Sequence, residues 1–411
     1  MHESASATSL LSHGPFVRFL YVRIAASIGL QMQAVAVGWQ MYTLTGSSFA
    51  LGLVGLVQFM PAVGLFLVTG HAADRYDRRK VAAAAQSVET LAAAVLAFAT
   101  VSGWLSPGLI LAMAFATGVG RAFEQPSLQS VLPNIVPARL LPRAIAAANS
   151  AAQTAVVAGP AVGGALLTLS PTLAFAGCAA LWLSAAFVTC GIAMERIIAK
   201  REPIKFKLLF SGVSFIGRQR VVLGAILLDL FAVLLGSATA LLPVFARDIF
   251  ASGPLGFGAL RAAPAVGAIT AALILARHPI VRRVGLALFV AVTAYGLGTI
   301  LFALSPSFLP AILALIVVGA ADTISMVIRQ TLVQLRTPDE MRGRVFAVNS
   351  MFTSTSNQLG TFRAGSVAAV FGAVPAVLLG GLSTLAVVLI SAAAFRELLG
   401  ADSYEPGRQS T

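Results

Sequence analysis

The chain is built from long apolar segments separated by short polar connections, and this pattern constrains the fold more than any other feature of the sequence. Twelve segments carry few or no charges, and each is long enough to cross a hydrocarbon core of about 30 Å, which takes about 20 helical residues. Because backbone groups in hydrocarbon must be hydrogen-bonded internally, each segment is predicted to be a helix. The predicted spans are 16–43, 48–69, 81–102, 108–131, 145–168, 172–194, 221–246, 255–276, 285–304, 309–333, 347–372 and 375–397.

The composition favours a membrane protein over any soluble class. Of the 411 residues, 58% are hydrophobic and 10% are charged, whereas a soluble protein has about a quarter of its residues charged. We therefore predict an all-α polytopic membrane protein, with the lipid bilayer as a partner. The formal net charge of +13 could suggest nucleic acid. The cations are dispersed among the connections, however, so no nucleic-acid partner is expected.

The connections alternate between neutral and basic. Five short connections carry almost no cations, and basic connections alternate with them; the exception is the connection that holds Arg247, which has a cation where a neutral connection is expected. Cytoplasmic loops carry the excess of Lys and Arg, so we expect a multi-pass protein of the cytoplasmic (inner) membrane with both termini in the cytoplasm. Residues 1–15 lack the features of a cleaved signal peptide and are expected to remain as a cytoplasmic tail. The neutral connections are 45–48, 102–108, 170–172, 305–308 and 372–375.

The longest polar connection divides the chain into two halves of six segments. A repeat supports this division, because Asn149 and Ser150 in the fifth segment recur 200 positions later as Asn349 and Ser350 in the eleventh. Two pseudo-symmetric halves of parallel topology are therefore expected. The predicted parts are an N-terminal six-helix bundle (1–194), a basic cytoplasmic linker (195–220), a C-terminal six-helix bundle (221–398) and a cytoplasmic tail (399–411).

A compact group of charges joins the second and third segments. Gly70, Asp74 and Arg75 are followed by the basic pair Arg78 and Arg79. A carboxylate at the membrane surface is stabilised by neighbouring cations and by the positive end of a helix, so Asp74 could hold one bundle against another. The alternative is that the cations act only as topology signals at the lipid surface.

The spacing of this group resembles the loop between helices 2 and 3 of the major facilitator superfamily. It departs from the usual form at Asp77, where a second glycine is common, and at Ala72, where leucine is common. The resemblance implies twelve helices in two halves around a central path, and a monomeric transporter that opens alternately to either side. It also implies that Gly70, Asp74, Arg75, Arg78 and Arg79 form a gating latch.

The fifth segment carries the complete motif Gly159, Pro160, Gly163 and Gly164. Glycines allow helices to approach closely and proline removes a backbone bond, so helix packing alone is one explanation. The motif also resembles helix 5 of export-type members of the superfamily. Wider similarity is to the branch that holds the enterobactin exporter and macrolide-efflux proteins, and it implies export of a small amphipathic molecule. The residues that carry this wider similarity are 37–46, 123–126, 228–233 and 242–247.

Acidic residues within the apolar segments are candidates for proton coupling. A charge at a helix centre costs about 2.5–3.5 kcal/mol and is usually paired or faces a wet cavity. Asp229 and Asp322 are the leading candidates and Glu124 is the third. The alternatives are structural ion pairs, for example Asp322 with Arg363 or Glu124 with Arg121.

Polar side chains in the same segments are candidates for the substrate path. The resemblance implies that helices 1, 4, 7 and 10 line this path, although the rotation of each helix is unknown. For each residue taken alone, an interhelical hydrogen bond is the alternative. The candidates are Gln33, Gln40, Arg121, Asn357 and Arg363.

Other chemistries lack sequence support. The two cysteines, Cys178 and Cys190, lie in one apolar segment, so neither a disulfide framework nor a metal site is expected. No nucleotide-binding loop of the Gly-x4-Gly-Lys-Ser/Thr type occurs, so the chain is not expected to be an enzyme or to need a cofactor. The hypothesis is a secondary exporter of a siderophore-like, macrolide-like or drug-like molecule, driven by proton antiport. The alternative is an uptake permease or facilitator of the same fold.

Overall fold

The computed structural model of the chain describes residues 10–65, 68–69, 75–193 and 213–404. Within these residues, twelve helices of 17 residues or more follow in the order of the predicted spans, and no strand is present. The predicted all-α fold is therefore confirmed. The helices are α1 (Gly14–Thr45), α2 (Ser48–Gly64), α3 (Arg78–Val101), α4 (Pro107–Ile135), α5 (Leu141–Leu169), α6 (Pro171–Cys190), α7 (Arg220–Gly236), α8 (Gly253–Arg277), α9 (Val284–Ala303), α10 (Phe308–Leu335), α11 (Asp339–Phe371) and α12 (Ala373–Ala394).

Several helices begin at a side chain that accepts a hydrogen bond from the first turn. Ser106 Oγ accepts from the Leu109 amide before α4, and Ser170 Oγ accepts from the Thr172 amide before α6. Each serine is followed by proline, which has no amide hydrogen to leave unpaired at the first helical position. The start of these helices is therefore determined locally.

The seventh predicted span, 221–246, lies within a candidate membrane span over Arg220–Ile249, but that span is not one continuous α-helix. The helix α7 ends at Gly236, and the chain continues as a 3-10 turn (Thr239–Leu241), a short α-turn (Leu242–Val244) and a π-turn (Phe245–Ile249). Pro243 lies in this stretch, and a proline cannot donate the backbone bond that would continue an α-helix. The second helix is described over Ser48–Gly64, and residues 68–69 at the end of its predicted span are also helical.

Nine of the twelve described helices are long and apolar enough to cross a membrane, with α7 counted together with the turns that follow it, over Arg220–Ile249. Of the remaining three, α2 is apolar but has 17 residues, whereas α4 and α11 carry more polar and charged side chains. Length and composition therefore support a multi-pass membrane protein.

The described residues form two compact units. The first unit contains those of Met1–Leu44 and Val57–Pro203, and the second contains those of Thr45–Leu56 and Ile204–Thr411. In the first unit α3 packs against α4 and α6, and in the second unit α9 packs against α10 and α12. The packing among α3, α4 and α6 in the first unit thus corresponds to the packing among α9, α10 and α12 in the second, as two pseudo-symmetric halves require.

A close helix crossing is repeated in the two units. In the first, a Cβ on Gly118 would collide with the backbone carbonyl of Gln58, one turn before Pro61. In the second, a Cβ on Gly319 would collide with the carbonyl of Pro264. Only glycine allows backbones to approach this closely, so α2 and α4, and likewise α8 and α10, meet at equivalent glycines.

Some predictions lie outside the described residues. They include Gly70 and Asp74 of the predicted latch, most of the predicted linker 195–220, and the end of the tail at 405–411. The predicted domain boundaries stay predictions.

Candidate transport site

The described part of the loop before α3 is held by its arginines. Arg79 lies 3.0 Å from the Asp77 carboxylate and donates a further bond of 2.7 Å to the Ile192 carbonyl. Arg78 donates to the Ser130 carbonyl of α4 at 3.1 Å, whereas Arg75 is exposed. The loop cations Arg78 and Arg79 therefore bind the ends of neighbouring helices in the first unit.

Asp77, the position that departs from the usual superfamily pattern, has a structural role of its own. Its Oδ1 accepts from the Arg79 amide and caps the N-terminus of α3. The hydrogen bonds from the Arg79 side chain hold the pKa of Asp77 below its usual range, because they stabilise the charged carboxylate.

The motif in α5 faces α1. A Cβ added at Gly159 would lie 2.6 Å from Gln31 Cβ, and one added at Gly163 would lie 3.0 Å from Met32 Cα. Pro160 and Gly164 of the same motif are also buried. These positions pack α5 closely against α1, as the packing explanation requires.

In the first unit, Glu124 belongs to a buried hydrogen-bond network that joins three helices. Gln86 of α3 donates to Glu124 Oε1 of α4 at 2.9 Å, and Thr189 of α6 donates to Gln86 Oε1 at 2.9 Å. Arg23 and Arg121 lie within electrostatic reach of Glu124. Among the described residues, however, no ion pair within 4 Å joins Arg121 to Glu124, so their expected direct pairing is not observed.

Glu89 lies in α3 of the same unit and is fully buried. Among the described residues, neither of its carboxylate oxygens has a hydrogen-bond partner. Gly120 of α4 provides the space for this side chain, because a Cβ there would lie 2.6 Å from Glu89 Cγ. The close approach of α3 and α4 thus encloses an acid with no compensating donor.

In the second unit, Asp229 of α7 forms an ion pair with Arg329 of α10. The Arg329 Nη2 to Asp229 Oδ2 distance is 3.0 Å, and Ser325 donates to Asp229 Oδ1 at 3.4 Å. The other terminal nitrogen of Arg329 donates to Asn349 Oδ1 at 2.7 Å and to Thr353 Oγ1 at 3.2 Å, both in α11. One guanidinium thus connects three helices.

The second predicted acid, Asp322, has a different environment. It lines a cavity of about 150 Å³ within the second unit, together with Arg261, Tyr295 and Asn357. Asp322 is exposed to this cavity although it lies in the middle of α10. The expected pair with Arg363 is not found among the described residues, because Arg363 Nε instead donates to the Leu234 carbonyl at 3.0 Å.

The remaining path candidates differ in exposure. Gln33 is buried and donates to Thr117 of α4 at 3.1 Å, so it makes the interhelical bond that was the alternative. Gln40 is buried, whereas Asn357 is exposed on α11 and donates to the Thr353 carbonyl.

Sequence reasoning missed several polar residues of these networks. Arg261 is the one charge between residues 255 and 276, and the cost of a charge in a membrane helix could have identified it. The sequence did not indicate a role for Gln86 or Thr189, because a single polar residue in an apolar segment does not reveal which residue it hydrogen-bonds to. The described residues contain no cluster of three His, Cys, Asp or Glu side chains that could hold a metal ion.

Known exporters are similar to this chain over most of its length. Macrolide efflux protein A of Streptococcus pyogenes is 23% identical over 82% of this chain and 85% of its own. The multidrug efflux pump Tap of Mycobacterium tuberculosis is 26% identical over 86% of this chain and 87% of its own. The enterobactin exporter EntS of Escherichia coli is 26% identical over 94% of this chain and 89% of its own.

Solved transporter structures share the fold. The nucleoside transporter NupG has a TM-score of 0.72 at 16% identity, with 94% of this chain and 100% of NupG covered. A bacterial homologue of the iron transporter ferroportin has a TM-score of 0.70 at 15% identity, with 96% of this chain and 100% of the homologue covered. Likeness at these identities establishes the fold alone.

The family described as transmembrane secretion effector matches residues 5–404, which is nearly the whole chain. This match agrees with the twelve helices, the two pseudo-symmetric units and the efflux relatives. The protein therefore belongs to the transmembrane secretion effector family, an export-type branch of the major facilitator superfamily of membrane transporters.

Proposed function

We propose that the protein is a secondary active exporter of small amphipathic molecules. It moves a siderophore-like, macrolide-like or drug-like substrate across the cytoplasmic membrane by alternating access, and proton antiport drives the cycle. The proton gradient is the only energy source it needs, and it acts as a monomer. Both termini face the cytoplasm, in keeping with the basic connections.

The observation that carries the proton step is the ion pair of Asp229 with Arg329. Both side chains are buried, and Arg329 also binds Asn349 and Thr353 of α11. A proton on Asp229 removes the charge that holds Arg329, so the contacts among α7, α10 and α11 must change. A group whose protonation alters helix contacts is what coupling by alternating access requires.

Asp322 and Glu124 remain the other proton candidates. Asp322 faces a cavity and could exchange protons through water there. Glu124 is buried and bonded to Gln86, so its proton exchange requires a change in the packing of the first unit.

The efflux direction is supported by the printed activities of the relatives, which are macrolide efflux, multidrug efflux and enterobactin export. The complete motif of Gly159, Pro160, Gly163 and Gly164 also favours efflux, because it resembles helix 5 of export-type members. Uptake on the same fold is the alternative, and the direction of transport distinguishes the two.

Accumulation in intact cells tests the function. Cells with and without the protein are loaded with erythromycin, enterobactin or ethidium, and the internal concentration is followed before and after an uncoupler is added. A proton-driven exporter lowers the internal concentration until the uncoupler collapses the gradient. A rise in the internal concentration would instead identify an uptake permease, and no change for any compound would contradict the proposal.

Proton movement in proteoliposomes tests the coupling. A substrate identified in cells is added under an imposed pH gradient, and substrate-driven proton flux is compared for the parent protein, Asp229→Asn, Asp322→Asn and Glu124→Gln. Asp248→Asn is the matched control, because Asp248 lies in the connection after α7. Coupling by these acids is contradicted if all three variants exchange protons for substrate at the parent rate.

A further inference from the structure

We propose that the cavity of the second unit binds a zwitterionic head group of the substrate, with Asp322 holding its ammonium and Arg261 holding its carboxylate. The inference rests on the proposed transport function and names the chemistry of the substrate. The site is built from α7, α8, α9, α10 and α11 together with the turns after α7.

The charged side chains inside the helices of the second unit include one ion pair, Asp229 with Arg329, and others that form no ion pair among the described residues. Asp229 and Arg329 neutralise each other at 3.0 Å, and side chains of α10 and α11 form further hydrogen bonds with them. In contrast, no hydrogen bond or ion pair within the described residues involves the side chain of Asp322 or Arg261. A charge in a membrane helix is usually paired or faces a water-filled cavity, so water or a bound ligand must supply the partner that the described residues do not give these two side chains.

Both charged groups face the same cavity but do not pair with each other. Arg261 extends from α8 and Asp322 from α10, and no described charged group acts appreciably on Arg261. A ligand with one charge would displace water from both side chains and compensate only one of them, which is unfavourable away from bulk water. A ligand with both charges compensates both, and guanidinium binds carboxylate through two parallel hydrogen bonds.

The remaining walls fit a polar head group with an apolar neighbour. Tyr295 and Asn357 provide neutral hydrogen-bonding groups, whereas Val233, Phe302 and Leu315 provide apolar surface. The volume of about 150 Å³ corresponds to roughly five water molecules at about 30 Å³ each. That space suits an amino-acid-like head group better than a whole amphipathic molecule.

Equilibrium binding to the purified full-length protein in detergent tests this proposal without a proton gradient. The probes share one fluorophore and differ only in charge. Nε-dansyl-lysine carries ammonium and carboxylate, its methyl ester carries ammonium alone, its Nα-acetyl derivative carries carboxylate alone, and the Nα-acetyl methyl ester carries neither. We expect the zwitterion to bind about tenfold more tightly than either singly charged probe, as the loss of one charge-assisted contact predicts.

Two variants assign each charge to its side chain. Asp322→Asn should abolish the preference for the ammonium, so that the zwitterion and the Nα-acetyl probe bind equally. Arg261→Gln should abolish the preference for the carboxylate, so that the zwitterion and the methyl ester bind equally. Asp322→Asn should still bind the Nα-acetyl probe as the parent does, and Arg261→Gln should still bind the methyl ester. This retained binding shows that each variant is folded. Asp248→Asn and Arg247→Gln make the same charge changes in the exposed connection after α7, and they should bind all probes as the parent does.

The proposal is overturned if the parent binds none of the probes, if it does not prefer the zwitterion, or if either variant weakens all four probes equally. Because binding is measured without transport, loss of head-group selectivity alongside active export would reject this site and leave the exporter function standing. Selective binding without export in cells would reject the function and leave the site standing.

Discussion

The Arg329 guanidinium lies 3.0 Å from the Asp229 carboxylate, and both residues are almost fully buried, at 3% and 6% exposure. The pair joins α7 to α10, and Arg329 extends the connection to α11 through Asn349. Asp322 lies seven residues before Arg329 on the same helix and faces a cavity instead. Two acids that look alike in the sequence thus have different surroundings, since Asp229 is held in an ion pair and Asp322 lines a cavity.

Removing one partner of the buried pair should destabilise the protein. Asp229→Asn leaves the Arg329 charge uncompensated, and such losses cost about 3–5 kcal/mol. We expect the double variant Asp229→Asn with Arg329→Gln to recover part of that loss, because it removes both charges. Thermal unfolding in detergent measures both effects. The single variant Arg329→Gln completes the comparison. If the loss in the double variant equals the sum of the losses in the two single variants, the pair contributes no coupling energy.

Substitutions of the glycines in the α5 motif should destabilise the protein more where less space separates α5 from α1. Gly159→Ala places a methyl group 2.6 Å from Gln31 Cβ, and Gly163→Ala places one 3.0 Å from Met32 Cα. Overpacking of this kind costs about 1–3 kcal/mol, so Gly159→Ala should be the worse of the two and Gly163→Val worse than Gly163→Ala. Gly108→Ala is the control, since nothing lies within 4 Å of its added Cβ. Export rates and melting temperatures equal to those of this control would contradict the close contact.

The stability that Asp77 contributes should depend on pH. Because its folded pKa is lowered from the ordinary 3.8, this contribution is complete above the unfolded pKa and disappears as the pH falls through the lowered folded pKa. The melting temperature of the parent should therefore exceed that of Asp77→Asn by a constant amount between about pH 5 and 7. The difference should shrink below pH 3.8. A difference that stays the same down to pH 3 would show that the ion pair with Arg79 adds no stability.

Replacing Glu89 and replacing Glu124, the two buried acids of the first unit, should have different effects on the melting temperature. Among the described residues, Glu89 has no hydrogen-bond partner, so Glu89→Leu should not lower the melting temperature. Glu124→Leu leaves the Gln86 amide without its acceptor, and an unsatisfied buried donor costs about 1–3 kcal/mol. Comparison of the two melting temperatures checks this expectation. Equal destabilisation would indicate that Glu89 makes an essential contact.

The predicted latch residue Asp74 lies outside the described residues and can be tested directly. Asp74→Asn keeps the size of the side chain and removes its charge, so export should fall while expression and melting temperature stay close to those of the parent. Arg75→Gln removes the neighbouring cation of the predicted latch, so export should fall in this variant as well. Normal export by a well-expressed Asp74→Asn protein would show that the charge has no gating role.

The helices and their order could be predicted from the sequence because a backbone in hydrocarbon must satisfy its hydrogen bonds within its own segment. The lengths of the apolar segments therefore located all twelve helices. The positions of the glycines and prolines could also be read from the sequence. The break after Gly236 is the exception. Pro243 signals it in the sequence, but hydropathy does not distinguish a continuous helix from a succession of short turns.

Only the tertiary structure decided which polar side chains meet. A membrane helix is apolar on most of its faces, so its sequence does not determine its rotation, and the rotation sets whether a charge meets a partner or a cavity. For this reason the sequence by itself determined that Asp229 and Asp322 lie inside membrane helices. The packing of α7, α8 and α10 decided that Asp229 pairs with Arg329 and that Asp322 shares a cavity with Arg261.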